Sequence, residues 1–251
     1  MMQIILDGKF KTDRSVVALG MFDGVHIGHR VLLERGAALA HQHGVPLVVS
    51  TFRDHPLQVI APDKCPPQLT TFDERAKLME TLGVDVLYAM PFDAETMNMP
   101  PEDYVGHLVR QFHPTDVVCG YNHTFGRKGE GMPNLLAFLG DALGFATSIV
   151  PKITLDGKEV SSTAIRACIA QGDVSQAREL LGHPYALDAC LTESGWKVCE
   201  NGKQTVPHGM YRTICVCGGK RLPATIRVGE TIMCRPPVTV GQMQFELLAK
   251  V

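Results

Sequence analysis

The chain has 251 residues and a formal net charge of -2, from 24 lysines and arginines against 26 acidic side chains. This length supports one large domain or two smaller ones, and the balanced charge excludes a general electrostatic attraction for nucleic acid. No apolar run is long enough to span a membrane, and the opening residues, Met1 to Lys9, are too few and too charged for a secretory signal. We therefore expect a cytoplasmic protein with no nucleic-acid or membrane partner.

Apolar runs and amphipathic segments alternate through the first two-thirds of the chain. The apolar runs predict strands at Val16–Leu19, Leu47–Thr51, Val84–Met90, Asp116–Cys119 and Ala146–Val150. The segments between them predict helices at Arg30–His43, Phe72–Leu82, Glu102–Phe112 and Asn134–Leu143. Such alternation is typical of an α/β fold, in which helices cover both faces of a parallel sheet and ligands bind at the carboxyl ends of the strands.

The pattern changes at Gly182-His183-Pro184. Two helices are predicted just before it, at Thr163–Gln171 and Val174–Leu181. After it come short apolar runs separated by glycine and proline, at Ala186–Thr192, Trp196–Cys199, Met210–Cys217, Leu222–Val228, Thr231–Arg235 and Gln244–Leu248. These runs predict a small antiparallel β-barrel, and we expect one domain at residues 1–184 and a second at 185–251.

Five of the eight cysteines lie in the C-terminal quarter. Cys215 and Cys217 share one face of a predicted strand, which leaves a metal or redox pair open. Buried, unreactive thiols are the favoured interpretation, and without a secretion signal no disulfide is predicted.

The segment from Gly20 to His29 lies where the first predicted strand passes into a helix. First-turn amides and the helix dipole favour an anion there, and glycines at 24 and 28 permit close backbone approach. His26 and His29 can both donate hydrogen bonds to phosphate oxygens. The segment predicts a nucleotide-phosphate site, although a glycine-rich turn with capping histidines would share the pattern.

Three further segments carry polar groups suited to the same ligand. Arg53 and His55 follow the second strand, and the glycine-bracketed loop from Gly120 to Gly131 combines an amide, aromatic rings and two cations. Farther along, Ser162 or Thr163 is expected to cap a helix, with Arg166 one turn beyond. Each segment alone is equally compatible with an ordinary loop or cap.

In this order the four segments resemble the N-terminal FMN adenylyltransferase domain of the bacterial bifunctional riboflavin kinase/FAD synthetase family. The resemblance runs from about residue 14 to residue 185 and ends in Leu180-Leu181-Gly182-His183-Pro184-Tyr185. It implies a Rossmann-like His-x-Gly-His nucleotidyltransferase fold, with FMN and ATP as substrates and Mg²⁺ as cofactor. The implied reaction gives FAD and pyrophosphate by direct attack of the FMN phosphate on the α-phosphorus of ATP.

The resemblance also implies roles for individual residues. The implied catalytic residues are His26, His29 and Arg166. The implied ATP-binding residues are Gly20, Phe22, Asp23, Gly28, Ser162, Thr163 and Lys128. The implied flavin-binding residues are Asn122, Thr124, Phe125, His55 and Pro56. No protein side chain is assigned as a metal ligand.

The chain departs from the family pattern in both parts. Asn122 stands where many relatives carry aspartate, and Arg53-Asp54 replaces the commoner glutamate-proline. Between Asp188 and Pro207 the Gly-Arg loop and Pro-Thr-Ala-Asn motif of the riboflavin kinase barrel are missing. We therefore expect a shortened, degenerate kinase-like barrel with negligible kinase activity, in which Glu246 corresponds to the kinase base.

Two other functions remain open. The first is a nucleotidyltransferase with a different phosphate acceptor, and the second is a non-catalytic flavin-nucleotide binding or regulatory module. A class I aminoacyl-tRNA synthetase is excluded, since the chain lacks the Lys-Met-Ser-Lys-Ser-like loop and a tRNA-binding body. We expect a monomer or a weak oligomer.

Overall fold

The computed structural model describes residues 1–193, 195–235 and 242–251. The chain forms two compact units. The first comprises Met1–Pro66 and Phe72–Ile153, and the second comprises Pro67–Thr71 and Thr154–Val251.

A six-stranded sheet organises the first unit. Its strands are β1 (Gln3–Ile5), β2 (Ser15–Leu19), β3 (Leu47–Phe52), β4 (Val86–Met90), β5 (Pro114–Gly120) and β6 (Ala146–Val150). Their order across the sheet is β1-β4-β3-β2-β5-β6, and every neighbouring pair is parallel. The five predicted strands are confirmed. The edge strand β1 was not predicted, because it has only 3 residues and a single buried one.

Six helices belong to this unit, namely α1 (Ile27–His43), α2 (Leu57–Ile60), α3 (Phe72–Thr81), α4 (Ala94–Asn98), α5 (Pro101–Phe112) and α6 (Pro133–Leu143). Alternate side chains of β2 enter two separate cores, because successive residues of a strand point to opposite faces. Val17 and Leu19 pack with α5 and α6, whereas Val16 and Ala18 pack with α1 and α3. The predicted α/β layering, with helices on both faces, is therefore confirmed.

The second unit begins with a short hairpin, β7 (Thr154–Leu155) and β8 (Lys158–Glu159), followed by α7 (Ser162–Gln171) and α8 (Val174–Leu181). Six antiparallel strands then close into a barrel: β9 (Tyr185–Thr192), β10 (Gly195–Val198), β11 (Gly209–Cys217), β12 (Lys220–Val228), β13 (Ile232–Arg235) and β14 (Gln242–Lys250). The predicted barrel is confirmed. The domain boundary between residues 184 and 185 stays a prediction.

The absence of disulfides was a wrong prediction. Cys190 and Cys199 form a disulfide with a Cα–Cα distance of 5.5 Å. The register of β9 and β10 pairs Cys190 with Lys197, so that the hairpin brings Cys199 within bonding reach despite a sequence separation of 9. In the same barrel Cys215 is a free thiol whose pKa is raised by burial. Among the described residues, no helix is long and apolar enough to cross a membrane.

Two mid-helix glycines provide a test of the core packing. A Cβ atom on Gly140 would lie 2.7 Å from the Phe145 ring and 2.8 Å from the Phe145 carbonyl oxygen, whereas one on Gly106 would meet only the movable Arg110 guanidinium at 3.0 Å. We expect Gly140→Ala to lower the free energy of unfolding by about 1–3 kcal/mol. Gly106→Ala should leave it unchanged or raise it by up to about 1 kcal/mol, because alanine favours a helix. Urea unfolding checks both, and equal effects would contradict the packing described.

Candidate functional site

The His26 side chain determines where α1 begins. His26 has an extended backbone, with φ -65° and ψ 172°, and its Nδ1 accepts a hydrogen bond from the His29 amide at 3.3 Å. Helix α1 therefore begins at Ile27, three residues before the predicted start at Arg30. Because Nδ1 acts as acceptor, the neutral His26 ring carries its proton on Nε2, and Nε2 is its donor atom.

The connection from β2 to α1 contains strained backbone. Phe22 and Val25 have φ angles of 54° and 39°, in the left-handed region that side chains other than glycine rarely adopt. The Phe22 ring is fully buried beneath Gly20, whose Cβ would lie 3.1 Å from it. Each strained residue costs about 1–3 kcal/mol, and burial of a phenylalanine side chain returns about the same amount. The packing of Phe22 thus stabilises a loop conformation that its backbone alone would disfavour.

The two imidazole rings stack on each other. Their centroids are 3.6 Å apart with an interplanar angle of 14°, and the edge of Phe22 meets His29 at 5.3 Å. A Cβ atom on Gly28 would lie 3.2 Å from Cε1 of His26, so that a larger residue there would press on this ring. Glycine at position 28 therefore permits the stacked arrangement.

His29 is held in its neutral form. Burial lowers its pKa well below the usual value, and the nearby charges of His26 and Arg75 lower it further. Its Nδ1 is buried without a hydrogen-bond partner among the described residues. At neutral pH His29 is consequently uncharged, which avoids the repulsion that two stacked imidazolium ions would suffer.

Two adjoining cavities open at the carboxyl ends of β2 to β5. The first, called here the histidine cavity, has a volume of 360 Å³ and is lined by Gly20, His29, Ser50, His55 and Asn122 among others. The second, called the aromatic cavity, has a volume of 670 Å³, and its walls include Phe52, Phe92, Tyr104, Phe125 and Lys128. Both cavities are lined by Phe52, Pro56, Tyr104, His123 and Thr124.

Most predicted flavin residues lie on these walls. His55, Pro56, Asn122 and Thr124 line the histidine cavity, and Phe125 lines the aromatic one. Of the predicted ATP residues in this unit, Gly20 lines the histidine cavity and Lys128 the aromatic cavity. The remaining ones, Phe22, Asp23 and Gly28, are not part of either wall, and neither is His26.

The other predicted phosphate-binding residues lie on α7, in the second unit. Capping by Ser162 or Thr163 was a wrong prediction, because the helix begins at Ser162 and its cap is Ser161. The Ser161 hydroxyl accepts from the Ala164 amide at 3.2 Å. Within the same unit, Nε of Arg166 donates to the Pro67 carbonyl at 2.7 Å.

Comparison with known proteins identifies the family. The profile of the FAD synthetase family matches residues 9–164, more than half of the chain. The chain belongs to the FAD synthetase family. The N-terminal placement predicted from the four segments is thereby confirmed.

The chain does not cover the same share of every relative in this family. Bifunctional riboflavin kinase/FMN adenylyltransferases of Listeria monocytogenes and Bacillus subtilis are 37% and 34% identical over 171 and 173 residues, in each case 68% of this chain and 54% of the relative. The chain thus spans about half the length of these curated relatives. A FAD synthetase of Listeria monocytogenes is 29% identical over 192 residues, which are 76% of this chain and 74% of that protein.

A solved structure shares the fold. The crystal structure described as that of a macrolide-efflux protein from Streptococcus pneumoniae matches with a TM-score of 0.88 and covers 100% of both chains. Its sequence identity is only 22%, so the likeness concerns the fold alone.

Several aromatic residues on the walls of the two cavities were not predicted from the sequence. Tyr104 stacks on Phe125 with centroids 5.4 Å apart, His123 stacks on the same ring at 5.9 Å, and Phe52 meets Phe92 edge-on at 5.2 Å. Phe52 directly follows one predicted strand, and Phe92 follows another after the single residue Pro91, which was a usable signal. Tyr104 lies in an amphipathic helix, where an aromatic residue is ordinarily assigned to the core.

Acid should destabilise the protein through His123. Burial lowers the pKa of His123 to about 4, below the value of about 6.5 expected in the unfolded chain. Below about pH 6.5 the unfolded state therefore binds more protons, and stability is lost as the pH falls towards 4. Between pH 7 and pH 5 this contribution amounts to about 1–2 kcal/mol.

The variant His123→Phe keeps a ring against Phe125 and should show a correspondingly smaller loss of stability between pH 7 and pH 5, measured by urea unfolding. His41→Phe, at an exposed position of α1, is the control and should retain the wild-type loss. Identical losses in wild type and His123→Phe would contradict the assignment.

Proposed function

We propose that this protein is an FMN adenylyltransferase, which transfers AMP from ATP to FMN and releases FAD and pyrophosphate. One observation carries the proposal, namely that the histidine cavity at a helix N-terminus adjoins a larger cavity with aromatic walls. A phosphate-binding helix start next to an aromatic-lined pocket suits an acceptor that has a planar ring at one end and a phosphate at the other. Membership of the FAD synthetase family supports the same reaction.

In the proposed reaction an oxygen of the FMN phosphate attacks the α-phosphorus of ATP. A new phosphoanhydride bond forms, the bond to the β-phosphate bridging oxygen breaks, and pyrophosphate leaves with its electron pair. Such a transfer needs in-line positioning and charge stabilisation rather than a protein nucleophile. His26 and His29 would supply hydrogen-bond donors beside the α1 dipole, with Gly20, Phe22, Asp23 and Gly28 shaping the loop that holds them.

Mg²⁺ is proposed to enter with ATP. This ion commonly keeps several waters and is held by substrate phosphates together with one or two carboxylates. It would neutralise charge on the phosphates while the two histidines orient them. Ser162, Thr163, Arg166 and Lys128 remain proposed ATP ligands on the strength of the sequence resemblance.

The flavin ring is proposed to occupy the aromatic cavity. Phe52, Phe92 and Tyr104 offer apolar and aromatic surface there, and Phe125, which stacks on Tyr104, lines the same cavity. Asn122, Thr124, His55 and Pro56 lie on the wall towards the histidine cavity and would position the ribityl phosphate.

Riboflavin kinase activity is proposed to be absent. Glu246, at the position expected for the kinase base, is held by both carboxylate oxygens in a bidentate pair with Arg221, at 2.5 and 2.6 Å. In this pair both carboxylate oxygens of Glu246 already accept hydrogen bonds from the guanidinium. The missing Gly-Arg and Pro-Thr-Ala-Asn motifs point in the same direction.

The direct test supplies ATP and Mg²⁺ with FMN, with riboflavin or with no acceptor, and measures pyrophosphate release and FAD by chromatography. We expect FAD from FMN only. Formation of FMN from riboflavin would contradict the loss of the kinase. Pyrophosphate release with another phosphorylated acceptor would favour a different transferase, and flavin binding without turnover would favour a binding module.

Loss of His29 should remove transition-state stabilisation. We expect His29→Ala to lower kcat by about 10²–10³-fold, the usual effect of removing one well-placed donor from a charged transition state. His41→Ala, on the exposed side of the same helix, should keep wild-type kcat. Steady-state kinetics with melting curves for both variants separates this effect from unfolding, and an unchanged kcat in folded His29→Ala would remove it from the proposed machinery.

Phe92 tests the proposed flavin pocket. We expect Phe92→Ala to raise KM for FMN about tenfold, a change worth about 1.4 kcal/mol of lost aromatic contact, while KM for ATP stays constant. Phe138→Ala removes the same side chain from a position that is 71% exposed on α6, and it should change neither constant. If Phe92→Ala raised KM for ATP and not KM for FMN, the aromatic cavity would hold ATP rather than the flavin.

A further inference from the structure

A buried arginine joins two loops of the histidine cavity. Arg75 of α3 is only 5% exposed. Its Nη1 donates to the Met21 carbonyl at 2.7 Å, and its Nη2 donates to the carbonyls of Phe52 and Arg53 at 3.1 and 2.8 Å. The guanidinium also lies over the Phe72 ring at 5.4 Å from the centroid.

These three carbonyls come from two segments, one after β2 and one at the end of β3. Met21 lies in the loop that leads from β2 to His26, whereas Phe52 and Arg53 lead from β3 towards His55. Neighbouring parallel strands pair through their backbones only as far as the strands extend, so the loops beyond them need another connection. A planar guanidinium with several donors in fixed directions can bind both loops at once, which the single ammonium of lysine cannot do in the same geometry.

We propose that Arg75 is a positioning residue, whose guanidinium fixes the loop after β2 against the loop after β3 and so sets where His29 and His55 stand in the histidine cavity. The proposal deepens the adenylyl transfer proposed above and rests on it for its catalytic consequence. Arg75 is not on the wall of either cavity, so it acts through the loops rather than on the substrate.

The charge of Arg75 has a second effect on the same site. Together with burial and with His26, it lowers the pKa of His29. Asp23 and Asp54 face Arg75 and act in the opposite direction on Arg75 itself, raising its pKa against the effect of burial. Arg75 therefore combines two separable properties, the fork of donors and the positive charge, and two substitutions distinguish them.

Arg75→Lys keeps the charge and loses the fork, whereas Arg75→Met loses both. Lys77→Met, at an exposed position of the same helix, also removes one positive charge and serves as the matched control. For each protein we would measure kcat and KM for FAD formation across pH, the melting temperature, and the His29 titration by NMR, with the signal assigned through His29→Ala.

We expect both Arg75 variants to lose about 10- to 100-fold in kcat, because small displacements of positioning groups have effects of this size. KM for FMN should change less than kcat. In Arg75→Met the His29 titration and the acid limb of the kcat profile should move to higher pH, since a repelling charge is gone, while in Arg75→Lys they should stay near wild type. Lys77→Met should match wild type throughout. Wild-type kcat in folded Arg75→Lys would overturn the positioning role.

One measurement on the wild-type protein needs neither a folded variant nor turnover. Arginine side-chain NMR should show hindered rotation and slow hydrogen exchange for the Arg75 Nη groups, as expected for a guanidinium that bridges two loops. Free rotation would overturn the proposal. If the wild type formed no FAD, the proposed reaction would fail, whereas this measurement and the His29 titration would still decide the role of Arg75.

Discussion

The backbone amide of His29 donates to Nδ1 of His26 at the point where β2 passes into α1. This hydrogen bond satisfies one of the free amides of the first turn, and it also determines the tautomer of His26, whose proton must then lie on Nε2. It brings residue 29 under residue 26, so that the two rings stack at 3.6 Å. Helix start, ring orientation and donor atom thus depend on the same contact.

His29 is uncharged in its buried setting, and its neutrality has a physical reason. Two stacked imidazolium ions would repel each other strongly away from water, so burial and the nearby Arg75 charge keep His29 neutral. A neutral imidazole still donates a hydrogen bond, which suits the polyphosphate that we propose to bind there. Arg75 lies behind the loops. Its positively charged guanidinium donates hydrogen bonds to backbone carbonyl oxygens at 2.7 to 3.1 Å and is not on the wall of either cavity.

The α/β layering could be predicted because the pattern of apolar residues along the chain indicates which segments are buried. Strands β2, β3 and β4 are almost wholly buried and read as continuous apolar runs. The exact start of α1 was not predicted, since the sequence left capping by the histidines open and does not show that Phe22 and Val25 before the helix have positive φ. The role of Arg75 was not predicted, because an arginine on an amphipathic helix is ordinarily exposed to solvent. Only the folded structure shows the three carbonyl oxygens that accept hydrogen bonds from its buried guanidinium.

The chain keeps the barrel fold, although we propose that riboflavin kinase activity is absent. Its interior is filled by alternate side chains such as Tyr211, Phe245 and Leu247, all of which are fully buried, and closure leaves no unpaired strand edge. None of these three residues belongs to the segment from Asp188 to Pro207, where the kinase motifs are missing. Glu246 illustrates the consequence, since its bidentate pair with Arg221 joins neighbouring parts of the outer wall and leaves the interior packing unchanged. The buried side chains that fill the barrel are therefore different groups from Glu246, the proposed counterpart of the kinase base.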